Sequence, residues 1–147
     1  MKTLRVTIDH LDEISTLFDK YRQFYEQAAD YEGCRDYLRH RIENDESVIF
    51  LSLNESDEPI GFTQLYKSFC SVELRRIIYL YDLYVDPSAR RAGVAKTLME
   101  TAKEYAKSCG AANLTLETGV ENFNAQRLYE SLGYKRDEAF FTYHLAL

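Results

Sequence analysis

The chain has 147 residues, 46% of them apolar and 29% charged, the make-up of one soluble globule whose folding buries roughly 68–70% of the unfolded surface. With 6 Gly and 2 Pro against 12 Tyr and 8 Phe, collagen-like, linker-dominated and wholly disordered chains are excluded. A net charge of −6, from 18 Lys and Arg against 24 Asp and Glu, opposes nonspecific binding to a nucleic-acid backbone. The cysteines Cys34, Cys70 and Cys109 and the histidines His10, His40 and His144 show no metal-ligand spacing. No metal is expected, and the thiols read as reduced and mostly buried in a cytoplasmic protein. The opening MKTLRVTIDHLDE turns polar too early for a signal peptide, and no apolar run approaches membrane-spanning length.

Leu4 to Ile8 alternates as a short strand, after which Asp9 is placed to cap a helix reaching Gln27, with Leu11, Ile14, Phe18, Tyr21 and Tyr25 at helical spacing. Cys34, Leu38 and Ile42 mark a second helix ending near Asn44. Ser47–Leu53 is a strand, Ser56-Asp57-Glu58-Pro59 a turn, and Ile60–Phe69 the antiparallel return. Ile77–Val85 is almost continuously apolar, as a strand covered on both faces should be. Gly93–Ser108 carries Val94, Leu98, Ala102, Tyr105 and Cys109 on one helical stripe and stops at Gly110. Asn113–Thr118 reads as a strand parallel to the previous one, and Asn122 caps a helix with Ala125, Leu128, Tyr129 and Leu132 inward. Tyr134–Glu138 and Phe141–Leu147 complete the pattern as strands. The order is βααβββαβαββ in one α/β domain over residues 1–147.

Chemistry concentrates in Leu83-Tyr84-Val85-Asp86-Pro87-Ser88-Ala89-Arg90-Arg91-Ala92-Gly93-Val94-Ala95-Lys96. A buried strand ends there and a helix begins, and the unpaired N–H groups of a helix start favour phosphate. Arg90, Arg91 and Lys96 add local positive charge, although solvated arginines at an ordinary helix start give the same pattern. Neither GxxxxGK[ST] nor GxGxxG is present. The Arg90-x-x-Gly93-x-Ala95 spacing closely resembles the pyrophosphate signature Q/R-x-x-G-x-G/A of the GCN5-related N-acetyltransferases (GNAT). Downstream, Asn122-x-x-Ala125-x-x-Leu128-Tyr129-Glu130-x-x-Gly133-Tyr134 resembles the second half of that family's cofactor site. Ala95 departs from the commoner glycine and adds one methyl.

The resemblance implies a GNAT-type acyl-CoA N-acyltransferase fold, with a mixed, mostly antiparallel sheet flanked by helices, and acetyl-CoA as co-substrate. It implies that the amides from Arg91 through Ala92, Gly93, Val94 and Ala95 to Lys96 cradle the pyrophosphate. Leu83, Tyr84 and Val85 would pair with the pantetheine, with a bulge near Leu83–Tyr84 aiming an N–H at the thioester oxygen. Tyr129 matches the general acid that protonates the departing thiolate, and in isolation it reads equally as a core tyrosine. Asn122 combines a cap with a cofactor contact, and Asn124 has a weaker claim. Glu117 matches a catalytic glutamate of ribosomal-protein-type members. Asp82, a lone carboxylate in an apolar run, is the second base candidate, and either acid could instead be structural.

Tyr21 and Tyr25, in the YRQFY segment, could wall an acceptor cleft or simply pack in the core and on a dimer surface. The implied activity is direct acetyl transfer to a primary amine, since no cysteine or serine sits in the setting of an activated nucleophile. A small amine, polyamine or amino acid is favoured over a protein N-terminus or lysine. A homodimer is implied by the polyamine, histone and amino-acid acetyltransferase branch. The alternative from another class is a non-catalytic acyl-CoA sensor, which would need neither Tyr129 nor Glu117.

Overall fold

The computed structural model describes every residue from Met1 to Leu147. Along the chain run β1 (Lys2–Arg5), α1 (Leu11–Phe24), α2 (Tyr31–Glu43), β2 (Ser47–Leu53), β3 (Pro59–Cys70), β4 (Arg75–Val85), α3 (Val94–Ser108), β5 (Leu114–Thr115) and α4 (Phe123–Ser131). Short 3-10 turns occupy Ile8–His10 and Pro87–Ala89. The chain divides into two units, Met1–Leu116 and Glu117–Leu147. No helix is long and apolar enough to cross a membrane.

In the first unit the strands lie side by side in sequence order. Neighbours from β1 to β4 are antiparallel, and β4–β5 is parallel, as the α3 crossover requires. All of β2 is buried, because helices cover both faces. Ile49, Leu51 and Leu53 join Ile14, Leu17 and Phe18 of α1 and Leu38 of α2 in one cluster. The alternate residue Phe50 turns to the other face, where its ring meets Tyr105 of α3 at 5.9 Å. Val94, Leu98, Met99 and Ala102 of α3 are almost fully buried, following the stripe expected of that helix.

A bulge divides β4. Gln64 pairs with Asp82 but Leu65 pairs with Leu80, so Tyr81 is an extra residue without a partner on β3. The extra residue reverses the alternation of side chains. Asp82 and Tyr84 share the α1 side with Gln64 and Phe62, whereas Leu80 follows Leu65 to the α3 side. Gly61 allows α3 to close on this sheet: a Cβ there would lie 2.9 Å from the Tyr84 carbonyl and 3.0 Å from Val94 Cγ1.

Several expectations need correction. Asp9 does not cap α1; Thr7 opens the preceding 3-10 turn, its N–H donating to His10 Nδ1 at 3.1 Å. The bulge falls at Tyr81, earlier than Leu83–Tyr84, because the register with β3 slips between Gln64 and Leu65. Only Leu114–Thr115 of Asn113–Thr118 forms a ladder, and Tyr134–Glu138 and Phe141–Leu147 form no strand. Alternation supplies the side-chain pattern of a strand, but a strand also needs a hydrogen-bonding neighbour, and these segments have none. No residue of α4 is fully buried. Of the free cysteines only Cys34 is buried.

Phe62 is wholly buried and its ring meets those of Phe18 at 6.0 Å and Tyr21 at 5.7 Å. Phe62→Ala is expected to cost about 3–5 kcal/mol and to lower the melting temperature by roughly 10 °C or more, measured by circular dichroism.

Candidate active site

Ile78 and Tyr79 pair with β5, and from Leu80 onward β4 has a neighbour only on its β3 side. The outward N–H and C=O groups along Tyr81–Val85 form an open edge able to take an extended chain. Tyr84 is buried, and Leu83 and Val85 are half-buried, so the backbone edge, more than the side chains, is on offer.

Asp86 ends the strand. Its Oδ1 accepts from Ser88 N at 3.0 Å and Ser88 Oγ at 2.7 Å, and its Oδ2 accepts from Lys20 Nζ of α1 at 2.9 Å. These bonds, that of the Ser88 hydroxyl first, hold its carboxyl down at about 2. Arg90 folds back, with Nε donating to the Val85 carbonyl at 3.2 Å and the guanidinium 5.9 Å from the Phe24 ring centre. Arg91 (φ 66°) and Gly93 (φ 82°) adopt left-handed backbone, which turns the chain sharply into α3. A Cβ at Gly93 would meet nothing within 4 Å, so the backbone angle and not crowding calls for glycine there. Thr97 N–H donates to Gly93 O at 3.0 Å as the first bond of the helix; the amides of Val94, Ala95 and Lys96 ahead of it have no backbone acceptor. Val94 is buried and Ala95 half-buried, while Arg90, Arg91, Ala92, Gly93 and Lys96 are exposed.

On the α1 side of the bulge, Asp82 is 4% exposed and accepts from Gln64 Nε2 at 2.7 Å. The Tyr21 hydroxyl also interacts with its carboxyl. Burial pushes the Asp82 carboxyl above its ordinary value, against the lowering effect of Gln64 and Tyr21. Burial likewise pushes the Tyr21 hydroxyl up. Gln64 is itself fully buried, and its Oε1 has no hydrogen-bond partner. Tyr81, at the bulge, stacks edge-on with Tyr66 at 5.2 Å, and the Tyr66 and Tyr37 hydroxyls are 2.6 Å apart.

In the second unit, Asn122 Oδ1 accepts from Ala125 N at 3.2 Å and caps α4. Asn124 is exposed, its Oδ1 accepting from Arg127 Nη2 at 2.6 Å. Tyr129 is half-buried, its ring centre 6.1 Å from that of Tyr134. Burial pushes the Tyr134 hydroxyl up to about 12. Glu117 is exposed and lies beyond the end of β5.

The fold that carries this strand edge and helix start superposes on known structures. The sequence profile of the acetyltransferase (GNAT) family matches residues 11–134. The chain belongs to this family. The GNAT chain is 48% identical over 132 residues to the uncharacterized N-acetyltransferase YhfO of Bacillus subtilis (strain 168), covering 90% of this chain and 88% of that one. A thialysine N-epsilon-acetyltransferase of Caenorhabditis elegans is 27% identical, covering 95% of this chain and 88% of its own. The crystal structure of a probable acetyltransferase superposes with a TM-score of 0.95 at 40% identity, covering 100% of this chain and 98% of the other. The protein is thus a GNAT N-acetyltransferase with the acyl-CoA N-acyltransferase fold.

This acetyltransferase also has a cavity of about 250 Å³ between α1 and α2, lined by Phe18, Arg22, Asp30, Gly33, Cys34 and Tyr37. Arg22 Nη1 reaches Cys34 Sγ at 3.8 Å and forms no ion pair. The Phe18 ring lines this cavity and stacks 5.9 Å from Tyr21, so the Phe18 and Tyr21 rings link the cavity to Asp82. Tyr25 is 58% exposed, its ring edge-on to Tyr21 at 5.1 Å. Sequence reasoning missed Gln64 and Lys20, and reached Arg22 only as part of the YRQFY segment. A glutamine inside the buried run Gly61–Leu65 was a usable signal for Gln64; nothing local marked Lys20.

The raised Asp82 carboxyl means that the folded state holds its proton more tightly than the unfolded state does. The stability gained is complete below the ordinary value of 3.8 and is lost as pH rises through the raised value. Asp86, held low, changes stability only below 3.8 and leaves the higher window clear. Urea unfolding from about pH 4 to about pH 8 should show wild type losing stability with rising pH relative to Asp82→Asn. A difference independent of pH would show that Asp82 carries no such burial penalty.

Proposed function

We propose that the protein moves an acetyl group directly from acetyl-CoA to a primary amine. The observation that carries this reading is the open edge of β4 leading into the unbonded amides at the start of α3. The residues present fit the donor. Val94, Ala95 and Lys96 offer N–H groups to a diphosphate, with Arg90 and Arg91 adding charge. Leu83, Tyr84 and Val85 offer a strand edge to the pantetheine amides, and Asn122 and Asn124 are further contacts. When bound, acetyl-CoA supplies the activated acyl thioester.

The chain's own groups then have to manage protons. An amine arrives as ammonium and must lose a proton before it can attack. Asp82 is the base we favour, because burial raises its carboxyl and its bonds to Gln64 and Tyr21 orient it. Glu117, exposed in solvent, is the rival. The extra residue at Tyr81 changes which N–H groups of β4 face outward, and one such donor at the thioester oxygen is worth about 2.7–4 kcal/mol in acyl transfer. Tyr129 gives its proton to the departing sulfur. Direct transfer is favoured over a covalent acyl-enzyme, as Cys34 is buried beside Arg22 with its thiol pushed up by burial, away from the thiolate a nucleophile needs.

For the acceptor we favour a small amine that also carries a carboxylate. Arg22 brings a guanidinium with no ion pair to the cavity that Asp30 also lines, and such a group can bind a carboxylate in bidentate fashion. The relative named for the ε-nitrogen of thialysine supports the same choice. An open groove for a protein lysine or N-terminus is the second acceptor reading. A single-domain cytoplasmic enzyme is the setting we propose.

Thiol release from acetyl-CoA over an amine panel tests the reaction. Binding by calorimetry without release on any amine would favour a sensor. Tyr129→Phe should lower kcat by roughly 100-fold and leave acetyl-CoA affinity unchanged; an unaltered kcat removes Tyr129 from the mechanism. Of Asp82→Asn and Glu117→Gln, the variant that keeps the acidic limb of the pH–rate profile identifies the residue that is not the base. Arg22→Gln should raise KM by roughly 10-fold or more for an amino acid bearing a side-chain amine and leave KM for the matching decarboxylated diamine unchanged. Equal effects on both would defeat the carboxylate assignment.

A further inference from the structure

A side-chain amide buried in a core ordinarily has both of its ends hydrogen-bonded. Gln64 has only one. It lies opposite Asp82 across the β3–β4 ladder, is 0% exposed, and its Nε2 donates to Asp82 Oδ2 at 2.7 Å. No protein group donates to its Oε1. An acceptor shut away from water with nothing to accept from is costly, so it marks a place where a donor belongs. The dimensions of the amide say where that donor would stand. Its oxygen and nitrogen are about 2.2 Å apart, so Oε1 is at most about 5 Å from Asp82 Oδ2. One nitrogen can reach both oxygens, since two hydrogen bonds of about 2.9 Å span as much as about 5.8 Å. Tyrosines border this place. The Tyr21 hydroxyl beside Asp82 is close enough to those of Tyr25 and Tyr81 to interact with them, and Tyr25 and Tyr81 are 58% and 68% exposed. Exposed side chains change rotamer within nanoseconds, so a turn of one ring admits a small amine while the sheet stays fixed.

We infer that Gln64 Oε1 is the second acceptor for the nitrogen of the substrate amine, beside Asp82, and that the two together select a primary amine over a secondary one. This rests on the reading that Asp82 is the base. A nitrogen whose lone pair points at the thioester carbon has two N–H groups left if the amine is primary, and one if it is secondary. As the N–C bond forms, the C–S bond breaks and the sulfur leaves with the bonding pair. One N–H proton passes to Asp82, and the other stays on the amide product. Gln64 holds the one that stays. A secondary amine gives its single proton to Asp82 and leaves Oε1 unpaired, which is how a site built to accept from an N–H rejects an analogue that lacks it.

The probes are the primary amine that releases thiol fastest from acetyl-CoA and its N-methyl counterpart, for example lysine and Nε-methyl-lysine. Wild type should favour the primary amine in kcat/KM by about 10-fold or more. Gln64→Met, similar in size but without the acceptor, should bring that ratio close to one. Losing the bond from Nε2 to Asp82 slows both amines alike and cancels in the ratio. Gln64→Glu keeps an oxygen in place and should retain the preference, whereas Asp82→Asn should slow both amines and leave the ratio as it is. A second reading needs no variant to fold: the labelled side-chain carbonyl carbon of Gln64 in wild type should shift in resonance when the primary amine is added with coenzyme A, and not with coenzyme A alone. A ratio unchanged in Gln64→Met would mean that crowding by itself excludes the methyl group, and overturns the inference while the proposed reaction stands. An unmoved carbonyl resonance overturns it in the same way. Thiol release from no amine at all defeats the proposed reaction, and the inference with it.

Discussion

A central strand cannot be matched along its whole length by two neighbours that end at different places. β3 accompanies β4 from Arg75 to Val85, whereas β5 accompanies it only at Ile78 and Tyr79. Main-chain groups left over inside a fold are costly unless something pairs with them. Here they lie at the end of β4 where the chain turns into α3, and the free amides at the start of that helix lie just beyond. The edge and the helix start together form one continuous polar track. Gly61 keeps the track in place by letting Val94 and the Tyr84 carbonyl come as close as 3.0 Å and 2.9 Å to where a Cβ would stand.

The bulge at Tyr81 gives the strand its second property. Without it, Asp82 and Leu80 would point to the same face and one of them would be in the wrong environment. With it, Leu80 enters the apolar layer under α3 and Asp82 is turned toward Tyr21 and Gln64. The carboxyl that results is buried, hydrogen-bonded and raised. Opposite electrostatics hold four residues later, where Asp86 is kept ionised by Ser88 and Lys20. Environment alone gives two aspartates on one short stretch opposite shifts, Asp82 upward by burial and Asp86 downward by its bonds to Ser88 and Lys20.

Much of this was legible in the residues. The apolar runs of Ser47–Leu53 and Ile77–Val85 located β2 and β4, and the stripe from Val94 to Ala102 located α3; helices on both faces bury all of β2, whereas β4 leaves Tyr79 and Tyr81 exposed and is not covered on both faces as its run suggested. The lone acid in the β4 run also gave Asp82 away. The bulge was harder, since a slip in register depends on the partner strand and Tyr81 looks like any other strand residue. Lys20 is set by its bond to Asp86, 66 positions away, which no local pattern encodes. Tyr134–Glu138 and Phe141–Leu147 show the reverse failure: their alternation is real, but it states only what a strand would look like if a neighbour were supplied.

The bond from Lys20 to Asp86 joins residues 66 positions apart. One end lies on α1, the helix whose Tyr21 and Arg22 face Asp82 and the cavity; the other fixes the turn that leads into the α3 amides. Through this bond α1 and the turn into α3 are tied together, and for ligands bound at both, any tightening one imposed on the other would be returned in equal measure.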